Sequence, residues 1–351
     1  MLWIFLACTF DPAVSSVSAV QNEEVLVSMA ELQEQVFNIG DRSWRYPSTG
    51  LVVSFTDDRP EFLQARALFT QKKHTEAGEI LISLIQENPN EAAYHSLLSS
   101  VMLSLGDVNQ AKQAALQAVT LYPAAITHVN LAVVYQANKE FVLAEEHYKK
   151  AHHFAPKFFL PLRNLSSLRY QSGDLKEAEQ YLRDLMKIEP EDSYVYVALA
   201  EVLVEQKRAQ EAKEILEYRI QELQWIDPAE RVIDSGMMLD LPLALGELYR
   251  RDGDWRRAEY WFEYTIQQGS EIDSSLDDEI RYQVTSTIRL IEMYLEYDMK
   301  EKAKLRFVET EKMITEKDLK RKRHLEMEMS RMRELQILLG LTENQRDEDS
   351  F

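Results

Sequence analysis

Seven histidines, a single cysteine and one Asp-Gly-Asp triplet are the residues of this chain whose types could carry metal or nucleophile chemistry. A zinc hydrolase needs two histidines one turn apart on a helix with a glutamate between them, and no His-Glu-x-x-His occurs. His152 and His153 are adjacent, so on a helix their side chains diverge by about 100° and make a poor chelate. Asp252-Gly253-Asp254 matches a fragment of a calcium loop, but the remaining oxygen ligands of such a loop are missing. Cys8 stands alone, which excludes an intrachain disulfide and a cysteine metal cluster. No Gly-x-Ser-x-Gly elbow can be written. The ten glycines lie at least seven residues apart, whereas phosphate loops need them close together so that backbone N–H groups can approach the anion. The residues therefore predict a non-catalytic chain with no cofactor and no metal site.

Charge narrows the partners. The 351 residues include 59 Asp and Glu against 40 Lys and Arg, a formal net charge of −19. Non-specific binding to nucleic acid is driven by Lys and Arg displacing counterions from phosphates, so this balance opposes it. It equally opposes attraction to an anionic membrane surface. With 45% hydrophobic residues the chain has ample material for a core.

The elements of the chain are written as a repeat. Alanines after a short polar turn recur at Ala77, Ala111, Ala144, Ala178, Ala212, Ala258 and Ala303, at spacings of 34, 33, 34, 34, 46 and 45. Pro89, Pro123, Pro156 and Pro190 keep the same early period. Leu131-Ala132 with Tyr135 precede Ala144, and Leu245-Gly246 with Tyr249 precede Gly253-Asp254 and Ala258. Gly106-Asp107 and Gly173-Asp174 occupy the same turn, and Tyr148, Phe262 and Phe307 fill one aromatic slot, with Leu81, Leu182 and Leu216 in it elsewhere. Each unit reads as two amphipathic helices, A and B. Glycine ends helix A in left-handed backbone, the next aspartate caps helix B, and proline ends helix B.

This pattern, over about residues 58–315, resembles the tetratricopeptide repeat (TPR) family. The resemblance implies an all-α, right-handed TPR superhelix, an α-solenoid of about seven helix pairs closed by a C-terminal capping helix. One helix pair cannot bury its own apolar face, so the pairs must stack. The resemblance also implies that helices A line a concave groove for a partner's peptide or helix. By position the groove-facing residues are Arg59, Phe62 and Arg66, then Ser96 and Ser100, then Val129, Asn130 and Val133. Arg163, Asn164, Ser167 and Tyr170 follow, then Tyr194, Val197 and Glu201, then Glu247 and Arg250. Asn130, Arg163, Asn164, Tyr170, Tyr194, Glu201 and Arg250 are the expected partner-binding residues. Asn130 and Asn164 hold equivalent positions, so their amides are expected to bracket a peptide backbone. Arg163 is placed to take a carboxylate bidentately. Arg163-Asn164 match part of the set with which chaperone-binding members hold a carboxylate, but Ser167 stands where a second asparagine belongs. His95 and His128 fall at the fourth position of consecutive units, which reads as packing between helices, with a stacked metal-binding pair as the alternative.

The ends and the long units complete the division. Residues 1–19 hold an apolar run, Leu2 to Phe10, and a Val17-Ser18-Ala19 cleavage pattern, and so read as a signal peptide for export to a periplasmic or secreted location. The alternatives are a lipid anchor on Cys8 or a cytoplasmic chain. No further apolar segment suggests a membrane span in the mature chain. Residues 20–57 read as an amphipathic helix through Val25, Met29, Leu32 and Val36, followed by an arm with Trp44 and Tyr46. Residues 316–340 read as the capping helix, with Lys320-Arg321-Lys322-Arg323 as a solvated basic stretch, and 341–351 as an acidic tail. The sixth and seventh spacings carry surplus residues near 224–238 and 269–280. The first surplus contains Trp225, a candidate anchor for a partner. The rival function places an enzyme site, or an enzyme subunit, at 224–238; a second rival is an intracellular TPR adaptor.

Overall fold

The computed structural model describes residues 59–225, 235–271, 277–316 and 325–341. The expected signal peptide, N-terminal helix and arm, basic stretch and acidic tail lie outside these residues, as does most of the 224–238 surplus. Among the described residues there are fifteen helices and no strand. They fall into two compact units that meet in sequence at Pro190 and Glu191.

The first unit stacks four helix pairs: α1 (Pro60–Thr70) with α2 (His74–Glu87), α3 (Ala92–Ser104) with α4 (Val108–Leu121), α5 (Ala125–Ala137) with α6 (Phe141–Phe154), and α7 (Phe159–Gln171) with α8 (Leu175–Ile188). Within it each helix packs on the next, and the A helices α1, α3 and α5 also pack on one another in order. The second unit holds three pairs: α9 (Ser193–Glu205) with α10 (Ala209–Trp225), α11 (Ser235–Arg251) with α12 (Trp255–Glu271), and α13 (Asp277–Glu296) with α14 (Lys300–Glu316). There too A packs on A, from α9 to α11 to α13, and α15 (Glu326–Leu338) closes the series against α13. Both units have the consecutive packing of a helix-pair solenoid.

The turn chemistry explains why each pair forms. Gly106, Gly173 and Gly253 hold φ of 83°, 82° and 79°, as the sequence predicts for the end of helix A. The equivalent residues of the other pairs are Lys72, Lys139, Lys207 and Asp298, which take the same left-handed backbone without being glycine. At every one of these turns two N–H groups reach back to helix A. Gly106 N–H donates to Leu103 O at 3.0 Å and Asp107 N–H to Met102 O at 2.9 Å, and Lys139 and Glu140 repeat the pattern on Gln136 O and Tyr135 O. Asp107 then caps helix B by accepting from Gln110 N–H at 2.9 Å, and Asp174 and Asp254 do the same for Glu177 and Arg257.

The repeat alanines sit at the A–B crossings, where a larger side chain would hold the helices apart. Ala77, Ala111, Ala144, Ala178, Ala212, Ala258 and Ala303 are all completely buried. The aromatic slot is core as well, with Tyr148, Phe262 and Phe307 buried, and with Leu81, Leu182 and Leu216 in the other pairs.

Helix length follows proline. Helices α2, α4, α6 and α8 each have 14 residues, and a proline stands two positions beyond each of them. Helices α10, α12 and α14 lack that proline and run to 17 residues. Helices α11 and α13 are lengthened too, to 17 and 20 residues against 11 to 13 for the earlier A helices. Part of the surplus in the long units is thus added helix. Within the expected capping segment the described helix is Glu326–Leu338, with Leu325, Met332 and Leu335 buried.

Candidate partner-binding face

The expected binding residues all lie on A helices, and the structure separates them by what each is bonded to. On α1 the first three diverge. Phe62 is core, tilted against Tyr94 with ring centroids 5.2 Å apart, so it does not face a groove as expected. Arg59 donates through Nε to the Tyr94 hydroxyl at 2.8 Å and pairs with Glu87 at 3.2 Å. Arg66 is half-buried with its Nε lacking a hydrogen-bond partner, and desolvation lowers its pKa to about 10.

The paired asparagines do not act as a pair. Asn130 is 5% exposed and donates from its side-chain amide to the hydroxyl of buried Ser96 at 2.6 Å. It is a structural bond between α5 and α3, and the expectation that it brackets a peptide together with Asn164 is corrected accordingly. The signal was available in the sequence: Ser96 and Asn130 are 34 residues apart, hence at one repeat position on neighbouring helices. Asn164 remains half-buried, as do Arg163 and Tyr170 on the same helix, α7. Ser167 is buried and accepts from the Gln171 side chain at 3.1 Å.

In the second unit Tyr194 and Glu201 are half-buried on α9, with Val197 buried between them. Burial pushes the Glu201 carboxyl up to about 7, and its Oε2 has no hydrogen-bond partner. Arg250 is held by acids of its own unit. It pairs with Glu296, with Glu247 at 3.4 Å and with Glu292 at 3.7 Å, and the hydrogen bond to Glu296 leads in raising its pKa. Glu292 is the hub of that cluster, taking Arg289 at 2.9 Å and Arg331 of α15 at 2.7 Å. Sequence reasoning missed this hub, because its members come from three helices whose facing residues are not at equal repeat positions.

His95 and His128 are buried among helices, as their repeat position predicts, and they do not form a pair. His95 donates from Nε2 to Pro89 O at 2.8 Å and does not meet His128. His128 is buried, with its Nδ1 2.9 Å from Nδ1 of His147, and its ring stacks on Phe154 at 5.3 Å. One of the two rings must donate and the other accept, so at least the accepting imidazole is neutral. Desolvation lowers His128 to about 4, helped by His147 and Lys150, and desolvation also lowers His147. Asp252 accepts from Lys213 and Asp254 caps α12, so the repeat accounts for both aspartates. Among the described residues no group of three His, Cys, Asp or Glu side chains is arranged to hold a metal ion, and no helix is long and apolar enough to cross a membrane. The side chain of Trp225 lies outside the described set.

Comparison with known proteins follows the same lines. The tetratricopeptide repeat family model matches residues 169–219, and a second tetratricopeptide repeat model matches residues 241–263. A search of curated proteins gives no significant match. Among solved structures, a tetratricopeptide repeat protein from Parabacteroides merdae is 16% identical, over 80% of this chain and 97% of its own, with a TM-score of 0.51. The C-terminal part of a TPR repeat-containing protein from Cytophaga hutchinsonii is 15% identical, over 71% of this chain and 93% of its own, again with a TM-score of 0.51. PilF of Pseudomonas aeruginosa is 21% identical over 63% of this chain and 91% of its own, with a TM-score of 0.45. At these identities the two likenesses above 0.5 speak to fold alone. The repeated alanines, the left-handed turns and the family matches converge on tetratricopeptide repeats, matched by family models at residues 169–219 and 241–263.

Proposed function

We propose that this chain is a non-catalytic scaffold that docks a protein partner along its A helices, as an exported protein. A TPR fold supports a role in protein interaction in general terms; the docking face, the partner's form and the export are this proposal's own. The observation that carries it is the set of polar side chains left half-buried on the A helices while their neighbours are core. In the first unit Arg163, Asn164 and Tyr170 on α7 have this character, and in the second unit, taken by itself, Tyr194 and Glu201 on α9 have it. Half-buried polar side chains of that kind are the composition of the rim of a protein–protein interface. Asn130 and Arg250 are bonded within their own units, Asn130 to Ser96 and Arg250 to Glu296.

Export rests on the apolar run and small-residue pattern in residues 1–19. Mass spectrometry of the native N-terminus tests it: a mature chain starting at Val20 supports export, and one starting at Met1 removes it. Docking is tested by co-purification from the native source. Asn164→Ala with Tyr170→Ala should leave the melting curve unchanged and weaken the main partner at least tenfold, about 1.4 kcal/mol. Full retention of the partner by that double variant would remove the A-helix face from consideration.

A further inference from the structure

We propose that residues 25–36 dock as a helix on the outer face of α1 and close the open end of the first unit. The inference is independent of the A-helix docking face. It starts from a difference between α1 and its sister helices. On α3 the residues Tyr94, Leu97 and Val101 are buried in one apolar cluster with Leu81 and Leu84 of α2. Thirty-three residues on, Thr127, Asn130 and Val134 of α5 are buried too. The same positions on α1 are Pro60, Leu63 and Ala67, and all three are exposed, Leu63 by 43%. At i, i+3 and i+7 they lie on one side of the helix. Gln64 beside them stands where α3 has Leu98, which leaves an apolar stripe one helix wide.

What covers this position elsewhere is the preceding B helix, α2 on α3 and α4 on α5. Before α1 the described residues include no such helix. The B helices do that work with buried residues at steps of four and three: Ala77, Leu81 and Leu84 on α2, and Ala178, Leu182 and Leu185 on α8. Val25, Met29 and Leu32 keep those steps, and Val36 adds a fourth residue to the same side. Glu31 and Glu34 fall on the opposite side, as a helix covering only one neighbour requires. The segment therefore carries the pattern of a B helix without an A helix of its own.

The chain leads from this segment directly to the face. Residues 37–58 join Val36 to Arg59, which precedes α1. At about 3.3 Å per extended residue they reach much further than the roughly 10 Å between packed helices. Lengthening a connecting loop costs little, and the tether holds the segment at high local concentration. A second copy of the chain is the rival occupant, but it would bring a net charge of −19 against −19. Removal of residues 1–19 would leave the docking segment in place.

Two measurements on the full chain test this. In the first, p-benzoylphenylalanine is placed at Leu63, and in a separate protein at Ala67, and photo-crosslinks are mapped by mass spectrometry in a mixture of nitrogen-15-labelled and unlabelled chains. Crosslinks to residues 25–36 within one molecule are expected. Crosslinks between labelled and unlabelled chains overturn the proposal in favour of a second copy, and crosslinks that miss residues 25–36, or none from either position, overturn it outright. The second measurement is hydrogen exchange. Met29→Glu with Leu32→Glu is expected to accelerate exchange in α1 about fivefold or more while α5 to α8 exchange as in the wild type. Leu63→Glu should do the same, and all three changes together should add little, because they break one interface. Unchanged exchange in α1 on altering the segment, or effects of segment and face that simply multiply, overturn the docking. Acceleration that extends equally through α8 also overturns it, since the segment would then hold the whole unit rather than its end.

Discussion

Lys72, Lys139, Lys207 and Asp298 hold φ between 55° and 64°, where a Cβ is unwelcome and three sister turns use glycine. A non-glycine residue there costs about 1–2 kcal/mol, of which glycine returns part as greater freedom in the unfolded chain. Lys139 is exposed, so its side chain offers little in compensation. Lys139→Gly is expected to stabilise by about 0.5–1 kcal/mol, read as a higher urea midpoint at unchanged slope, and Gly173→Ala to destabilise by a similar amount. A second residue-scale prediction concerns His128. Its folded pKa, about 4, lies below the unfolded value, so the unfolded chain binds the proton first as pH falls. Stability from this group is complete above about pH 6.5 and drains away towards pH 4, with a limit on the order of 3 kcal/mol. Hydrogen exchange of α5 and α6 should accelerate over that window, and His128→Leu should remove most of the acceleration. The Gly-Asp turns were legible because one residue does one local job there. Asn130 was not, because whether an amide faces a ligand or a neighbouring serine is decided by packing across the stack.

Between elements, the crossing of α11 and α12 is tightly constrained. A Cβ on Gly246 would lie 2.7 and 2.8 Å from ring carbons of Phe262, a side chain that is itself completely buried. Helix propensity alone would favour alanine by up to about 1 kcal/mol. The ring has nowhere to move, so Gly246→Ala is expected to be net destabilising by about 1–3 kcal/mol. Gly246→Ala with Phe262→Leu should recover part of that loss, a coupling that a double-mutant cycle in urea would read. Ala178→Trp belongs to the same class on α8 and should cost at least as much. Helix pairing was legible in the sequence, since alanine, aromatic and proline each recur at fixed steps. The longer helices of the second unit were not placed in advance. They follow from an absent stop, a proline missing two positions beyond the fourteenth helical residue, and an absence reads less clearly than a motif.

At the scale of the molecule, a stack of repeats draws its stability from nearest-neighbour interfaces, and its last repeat has a neighbour on one side only. In the second unit α15 takes the vacant place against α13. It buries Leu325, Met332 and Leu335, and its Arg331 reaches the buried carboxyl of Glu292, which also serves Arg289 and Arg250. Three apolar side chains at about 1.5–3 kcal/mol each outweigh the ion pair, which is half-exposed on the arginine side and modest by itself. Ending the chain at Glu316 should therefore destabilise the second unit by several kcal/mol, with hydrogen exchange accelerating most in α13, less in α11 and least in α9. Arg331→Ala alone should cost about 1 kcal/mol, and the cost should shrink in high salt. Ile337 is 80% exposed on the outer side of α15, so Ile337→Lys should change stability by no more than about 0.5 kcal/mol. If that substitution costs as much as the truncation, the outer side of α15 is itself an interface, and the cap is not the end of the stack.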